Sequence, residues 1–167
     1  MKTKTILILV ILTTAAFACN AQTVSEKTVK GTTYVITQNK GDARKEVKNK
    51  NGLFDKYLKD IKSSCHVNIK DCNMTGRDLI KKIFTRERIA ELGSMPKTNI
   101  LIVSIYSNTG DAVAVRLDHV NTDVITWDEI KALENAYLQL KYVFDTSKCP
   151  DVKYYIIAQP INFSKFL

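Results

Sequence analysis

The chain of 167 residues lacks the motifs on which familiar enzyme classes depend. It contains no G-x-S-x-G sequence, no H-E-x-x-H sequence and no glycine-rich phosphate loop, which argues against the common serine hydrolases, zinc proteases and nucleotide-binding enzymes. Only three prolines are present, and no Pro-rich linker, repeat or low-complexity tract divides the chain. We therefore expect one domain without a recognisable catalytic centre.

Histidine is also scarce, with two residues in the whole chain. His66 directly follows Cys65, whereas the ligands of a standard zinc site are usually two to four residues apart. The other candidate ligands, Cys72, His119 and Cys149, are dispersed along the sequence. The sequence thus predicts no metal ion and no cofactor.

The first 21 residues have the pattern of an export signal. Two lysines precede an apolar run from Ile6 to Leu12, and small residues follow as far as Ala21. This run is shorter than the roughly 20 residues that span a bilayer. We expect cleavage after Ala21, so that the mature periplasmic or secreted chain begins at Gln22. Alternatively, residues 16–19 resemble a lipoprotein box, in which Cys19 would be lipidated and would anchor the protein to the envelope.

Removal of the signal leaves three cysteines, an odd number that cannot pair completely. Cys65 and Cys72 are the closest pair in sequence, and an oxidising compartment favours a disulfide, so we predict that these two are bridged and Cys149 is free. The alternative is that all three are reduced and buried. A free Cys149, with His119 and Asp118, could also serve a small secreted hydrolase as its nucleophile.

Positive charge is in excess, but without the features of a nucleic-acid-binding protein. The net charge is +8, and removing Lys2 and Lys4 with the signal lowers it to +6. The excess is concentrated between residues 40 and 82, where no nucleic-acid motif accompanies it. We interpret this region as a solvated surface and expect no nucleic-acid partner.

The first half of the chain alternates polar segments with short apolar patterns. We predict a polar N-terminal segment over residues 22–52 with a single strand, Thr32–Gln38, and a flexible loop over residues 39–51. Apolar residues at helical spacing predict a short helix over Leu53–Ile61 and a second helix that begins at the Thr75 cap and continues to Leu92.

Residues 53–167, which include these two helices, are predicted to form an α+β domain. The apolar run Asn99–Tyr106 and the alternating segment Ala112–Val120 predict a β-hairpin. A capping box at Thr126 predicts a helix that extends to Phe144, and Val152–Ala158 predicts a closing strand. We expect a single domain in which the helices pack on one face of an antiparallel sheet.

From about residue 99 to 163, this hairpin, helix and strand resemble the C-terminal domain of TonB and its relatives. The shared features are a D-x-x-G-like turn, an alanine-containing helix that ends in an aromatic, and a Pro-hydrophobic-x-Phe ending. They correspond to Asn108–Gly110, Ala132 and Ala136, Phe144, and Pro160–Phe163. The resemblance implies an envelope interaction module, since the membrane helix and Pro-rich spacer of TonB itself have no counterpart here.

We therefore expect an exported, non-enzymatic cell-envelope protein that binds a protein or peptide. The last strand would present a sheet edge to the partner, by β-augmentation. The candidate partner-binding residues are Tyr154, Tyr155, Ile156, Ile157, Asn162 and Phe163. Two alternatives are the hydrolase that uses Cys149 and a secreted inhibitor or host-facing binding protein of the same architecture.

Overall fold

The computed structural model of the chain describes residues 22–61 and 67–166, which form eight strands, four α-helices and a terminal 3₁₀ helix. The strands are β1 Gln22–Val29, β2 Thr32–Asn39, β3 Lys45–Asn49, β4 Asn68–Cys72, β5 Ile100–Ser107, β6 Ala112–Val120, β7 Tyr142–Asp145 and β8 Tyr154–Ile161. The helices are α1 Phe54–Lys59, α2 Gly76–Ile83, α3 Arg86–Ser94 and α4 Trp127–Leu138, and the 3₁₀ helix is Phe163–Lys165.

Six strands form one antiparallel sheet in the order β1-β2-β3-β6-β5-β8, and β4 and β7 form a separate two-stranded antiparallel sheet. The predicted hairpin is present as β5 and β6, and the closing strand β8 pairs with β5. The predicted fold class, an α+β domain built on an antiparallel sheet, is therefore confirmed.

The two faces of the large sheet are covered unequally. Ile100 and Ile102 of β5 lie in the main core with residues of α2, α3 and α4. Val103 and Ile105 point to the opposite face, where they pack against Phe54 of α1. Because β5 is apolar on both faces, a helix is needed on each side. Helices α2, α3 and α4 lie on one face of the sheet, and the six-residue α1 covers part of the other face.

Helix α4 begins where the sequence predicts and ends earlier. The side chain of Thr126 accepts a hydrogen bond from the N–H of Glu129, and the carboxylate of Glu129 accepts one from the N–H of Thr126, which completes the capping box. The helix ends at Leu138, so the predicted extension to Phe144 is wrong. Leu140, Tyr142 and Phe144 alternate with exposed residues, and this period of two continues into strand β7, which contains Tyr142 and Phe144.

The predicted helix from Thr75 to Leu92 is divided into two. Thr75 caps α2 as expected, by accepting a hydrogen bond from the N–H of Asp78. Phe84 then adopts an extended conformation, with φ −112° and ψ 137°. Thr85 caps the new helix α3 by accepting a hydrogen bond from the N–H of Arg88 at 3.2 Å. A second capping threonine within the apolar pattern was the signal of this break.

The N-terminal segment contains three strands and not the predicted one. Gln22–Val29 forms β1, which pairs with β2 through a two-residue turn in which Lys30 and Gly31 have positive φ angles of 46° and 81°. The predicted loop over residues 39–51 contains β3, in which Val47 is fully buried. Lys48 of β3 forms an ion pair with Asp55 at 2.9 Å, so its charge is accommodated within the fold.

Candidate functional site

Strand β8 forms one edge of the six-stranded sheet. It pairs with β5 in a continuous register, from Ile100 opposite Ile161 to Ser107 opposite Tyr154. On its other side, β8 has no strand partner within residues 22–61 and 67–166. Its position agrees with the edge expected from the sequence, whereas the binding of a partner there stays a prediction.

The hydrogen-bond pattern determines which backbone groups of β8 face outward. The N–H of Asn108 donates to the carbonyl oxygen of Lys153 at 2.9 Å. In an antiparallel ladder, residues at every second position from such a pair bond to the neighbouring strand, and those between them do not. The outward-facing residues are therefore Tyr154, Ile156, Ala158 and Pro160. Proline has no N–H, so the first three supply the outward donors.

The side chains of β8 also divide between two faces. Tyr155 and Ile161 are 4% and 2% exposed, and half-buried Ile157 packs against the main core. On the other face, Ile156 is 43% exposed, and Ala158 is exposed as well. The same residues that turn their backbone groups outward thus carry small or apolar side chains that are accessible to a partner.

The predicted contact residues after β8 are wrong for this role. Phe163 is fully buried, and its ring makes an edge-to-face contact with Phe84 at 5.2 Å. Asn162 caps the 3₁₀ helix by accepting a hydrogen bond from the N–H of Ser164 at 3.2 Å. The chain turns from the edge towards α3 after Ile161 and uses both residues for packing and capping.

The edge at the opposite end of the sheet, β1, differs in charge. Glu26 of β1 forms an ion pair with Lys50 at 2.8 Å, and Lys27 adds a second charge to the exposed strand. Charged side chains on an edge strand disfavour pairing with another chain. Strand β8 has no charged residue from Tyr154 to Ile161, so of the two edges it is the one with less protection.

A row of aromatic rings supports the first half of β8. Tyr106 contacts Tyr142 at 4.8 Å, and Phe144 contacts Tyr155 of β8 at 4.9 Å. Burial is the largest cause of the raised pKa of the Tyr106 and Tyr142 hydroxyls, which therefore stay protonated near neutral pH. The row provides packing for the edge strand.

The cysteines differ from the predicted arrangement. Cys72 is a free, half-buried thiol, and Cys149 is disulfide-bonded, so the predicted Cys65–Cys72 bridge with a free Cys149 is wrong. Cys65 and Cys19, the predicted lipidation site, lie outside the described residues. Closeness in sequence misled the prediction because Cys72 lies in β4 and packs against the main core.

The residues of the alternative hydrolase are not brought together. Asp118 lies opposite Leu101 near the start of β5, and exposed His119 follows it. Cys149 packs with Tyr155, which lies opposite Tyr106 near the other end of β5. At about 3.3 Å per residue, these two ends of the strand are separated by more than 15 Å. A disulfide-bonded sulfur also cannot provide a nucleophilic thiolate.

Within residues 22–61 and 67–166, no group of three or more His, Cys, Asp or Glu side chains is arranged to hold a metal ion. In the same ranges, no helix is both long enough and apolar enough to cross a membrane.

The structural similarity found to a solved protein is weak. No protein-family model and no curated protein matches the chain. A crystal structure of a DUF5043 family protein from Bacteroides uniformis is similar over 81% of this chain and 84% of that chain, with 18% sequence identity and a TM-score of 0.43. The function must therefore be inferred from the geometry of the chain itself.

Proposed function

We propose that this protein is an exported, non-enzymatic module of the cell envelope that binds an extended peptide segment of a partner along the outer edge of β8. The observation that carries the proposal is the combination of outward N–H groups at Tyr154, Ile156 and Ala158 with the absence of charge along β8. An added strand would satisfy these backbone groups by main-chain hydrogen bonds.

The accessible side chains suggest what the partner strand would contain. Ile156 presents an exposed apolar surface beside small Ala158, and the ring of Tyr154 is held against Tyr57 at 4.8 Å. An extended segment with apolar or aromatic side chains at alternate positions would cover this surface. Pro160 would end the ladder, because it offers no donor for a further hydrogen bond.

The proposed location follows from the export pattern of residues 1–21, which lie outside the described residues. The resemblance of about residues 99–163 to the TonB C-terminal domain supports the same proposal, since it implies an envelope interaction module. The hydrolase alternative has no support comparable with the β8 edge, because Cys149 is disulfide-bonded.

The test uses proline to remove one outward donor from each edge. Ala158→Pro removes an N–H that faces away from β5, so the native ladder keeps its hydrogen bonds. Val24→Pro is the matched control, because the N–H of Val24 faces outward on β1. This follows from the hydrogen bond that Lys50 N–H donates to the Thr33 carbonyl oxygen at 2.9 Å, since bonded positions alternate along β2 and therefore along its partner β1. Affinity capture from an envelope extract of the source cells would compare both variants with the unchanged chain.

We expect the unchanged chain and Val24→Pro to retain the same partner and Ala158→Pro to lose it, while thermal unfolding shows that both variants fold. Equal capture by all three chains would contradict binding at β8. Capture lost only with Val24→Pro would instead place the partner at β1.

A further inference from the structure

A second surface, separate from β8, is a groove of about 600 Å³ where α2 and α3 meet the end of the chain. We call it the basic groove. Its lining residues are Arg77, Lys81, Phe84, Arg86, Ile89 and Phe166. The volume is within the range of small-molecule sites, and the described lining contains three cationic side chains, three apolar side chains and no acidic one.

The floor of the basic groove is apolar because the helix breaks beneath it. Phe84 has an extended conformation and lies between α2 and α3. It is 4% exposed and packs against Phe163. Ile89 of α3 is also 4% exposed. A continuous helix over residues 75–92 would not bend the chain at this point, so the break is what places α2 and α3 on two sides of a groove.

The rim of the basic groove is cationic and partly preordered. Arg77 and Lys81 are four residues apart, so they lie on the same side of α2, and Arg86 begins α3 across the break. Arg77 donates to the carbonyl oxygen of Lys165 at 3.2 Å, and its guanidinium lies 5.9 Å from the centre of the Phe166 ring. These contacts hold the Arg77 side chain beside the groove and leave other donors for a ligand.

The nearby acids offset the positive charge of the rim only in part, because Glu87 interacts with Arg86 and not with Arg77 or Lys81. Among the described residues, Arg77 and Lys81 form no ion pair with a carboxylate within 4.0 Å. Asp78 is hydrogen-bonded to Thr75 at the start of α2, and Glu87 is hydrogen-bonded at the start of α3. The rim therefore favours an anion, while the floor favours an apolar group.

We infer that the basic groove binds a small amphiphilic anion that has a single apolar chain and a phosphate-ester or carboxylate head. The chain lies on the half-buried ring of Phe166, above buried Phe84 and Ile89, and the head is bound by Arg77 and Lys81. Charge-assisted hydrogen bonds supply the affinity of the head, and burial of apolar surface supplies that of the chain. This site is independent of peptide binding at β8, and either one can fail without the other.

The test is isothermal titration calorimetry of the purified chain with octyl phosphate and octanoate below their micelle concentrations. Inorganic phosphate, which lacks the chain, and octanol, which lacks the charge, separate the two contributions. We expect octyl phosphate or octanoate to bind at least about tenfold more tightly than either fragment, as one lost charge-assisted hydrogen bond implies.

Variants at neighbouring positions locate the site. Lys81→Gln and Arg77→Gln should each weaken binding by about tenfold, and affinity should fall as salt increases. Lys82→Gln is the matched control, because Lys82 is exposed on the same helix and does not line the groove. It should change affinity less than about twofold.

Three outcomes would overturn the inference. One is equal binding of octanol and octyl phosphate, which would remove the role of the rim. Another is equal weakening by Lys82→Gln and Lys81→Gln, which would indicate general charge attraction. The third is binding to phosphatidylglycerol vesicles without any binding of the free amphiphiles, which would indicate a membrane surface as the ligand.

Discussion

Replacement of Gly110 by alanine should strongly destabilise the protein. Gly110 lies in the turn between β5 and β6 with φ +91°, and an added Cβ would overlap the carbonyl oxygen of Tyr142. The turn is held to β7 here, because the N–H of Tyr142 donates to the carbonyl of Gly110 at 2.9 Å and Asp111 forms a β-bridge with Lys141. The overlap cannot be relieved without moving this backbone contact.

The magnitude has two contributions. A left-handed backbone conformation costs a residue with a Cβ about 1–2 kcal/mol. Overpacking against a fixed neighbour adds about 1–3 kcal/mol, and loss of the Gly110–Tyr142 hydrogen bond about 1 kcal/mol. We therefore expect Gly110→Ala to lower the free energy of unfolding by about 3–6 kcal/mol, a large part of the roughly 5–15 kcal/mol typical of a domain.

Gly31 provides the matched control for this prediction. It also has a positive φ, +81°, but an added Cβ would meet nothing within 4 Å. Gly31→Ala should therefore lose only the conformational contribution of about 1–2 kcal/mol. Urea unfolding measures both variants, and their m values should match that of the unchanged chain. Equal losses for the two variants would refute the proposed contact between the turn and β7.

Two further predictions concern charge and disulfide bonding. Burial raises the pKa of Glu129, but the stronger combined effect of hydrogen bonds, chiefly from Arg88 at 2.7 Å, lowers it overall. The contribution of Glu129 to the free energy of unfolding is thus present above the ordinary pKa of about 4.3 and is lost as pH falls through the folded pKa. In urea unfolding, Glu129→Gln should therefore be less stable than the unchanged chain at pH 7, and the two should have similar stability in acid. Non-reducing peptide mapping should find Cys149 in a disulfide and Cys72 as a free thiol; a link between these two cysteines would contradict the structure.

Local signals in the sequence were sufficient for several elements. The Thr126 capping box located the start of α4, and the apolar run of β5 with the alternating pattern of β6 located the hairpin. These signals depend on residues a few positions apart, so they can be recognised without knowing the fold. The edge position of β8 followed from its place as the last strand of this unit.

The remaining features depend on partners that are distant in the sequence. Strand β3 was predicted as a loop because its charges indicated solvent exposure, whereas Val47 is covered in the sheet and Lys48 is paired with Asp55 of α1. The end of α4 was ambiguous because Leu140 and Phe144 fit both a helical and an alternating pattern. In the structure, Tyr142 is buried against Tyr106, and this contact is made in the strand.

The two candidate sites also depend on residues that are brought together only by the fold. The outward residues of β8 follow from a register that only the paired structure provides, so the sequence could indicate the strand but not which of its residues face a partner. The basic groove was not predicted at all. Arg77 and Lys81 were assigned to a solvated surface, and the apolar floor that distinguishes them becomes visible only once Phe84 breaks the helix.

The order of strands in the large sheet has a consequence for how the protein folds. The β1–β2–β3 unit and the β5–β6 hairpin each have short connections and can form locally, but they are joined through β3 and β6, which are about 60 residues apart in the chain. Closing that loop adds little to the equilibrium cost, because the entropy grows only logarithmically with length, yet it slows folding. Tyr34 and Val47 therefore gain the rest of their core contacts only after the later hairpin has been synthesised.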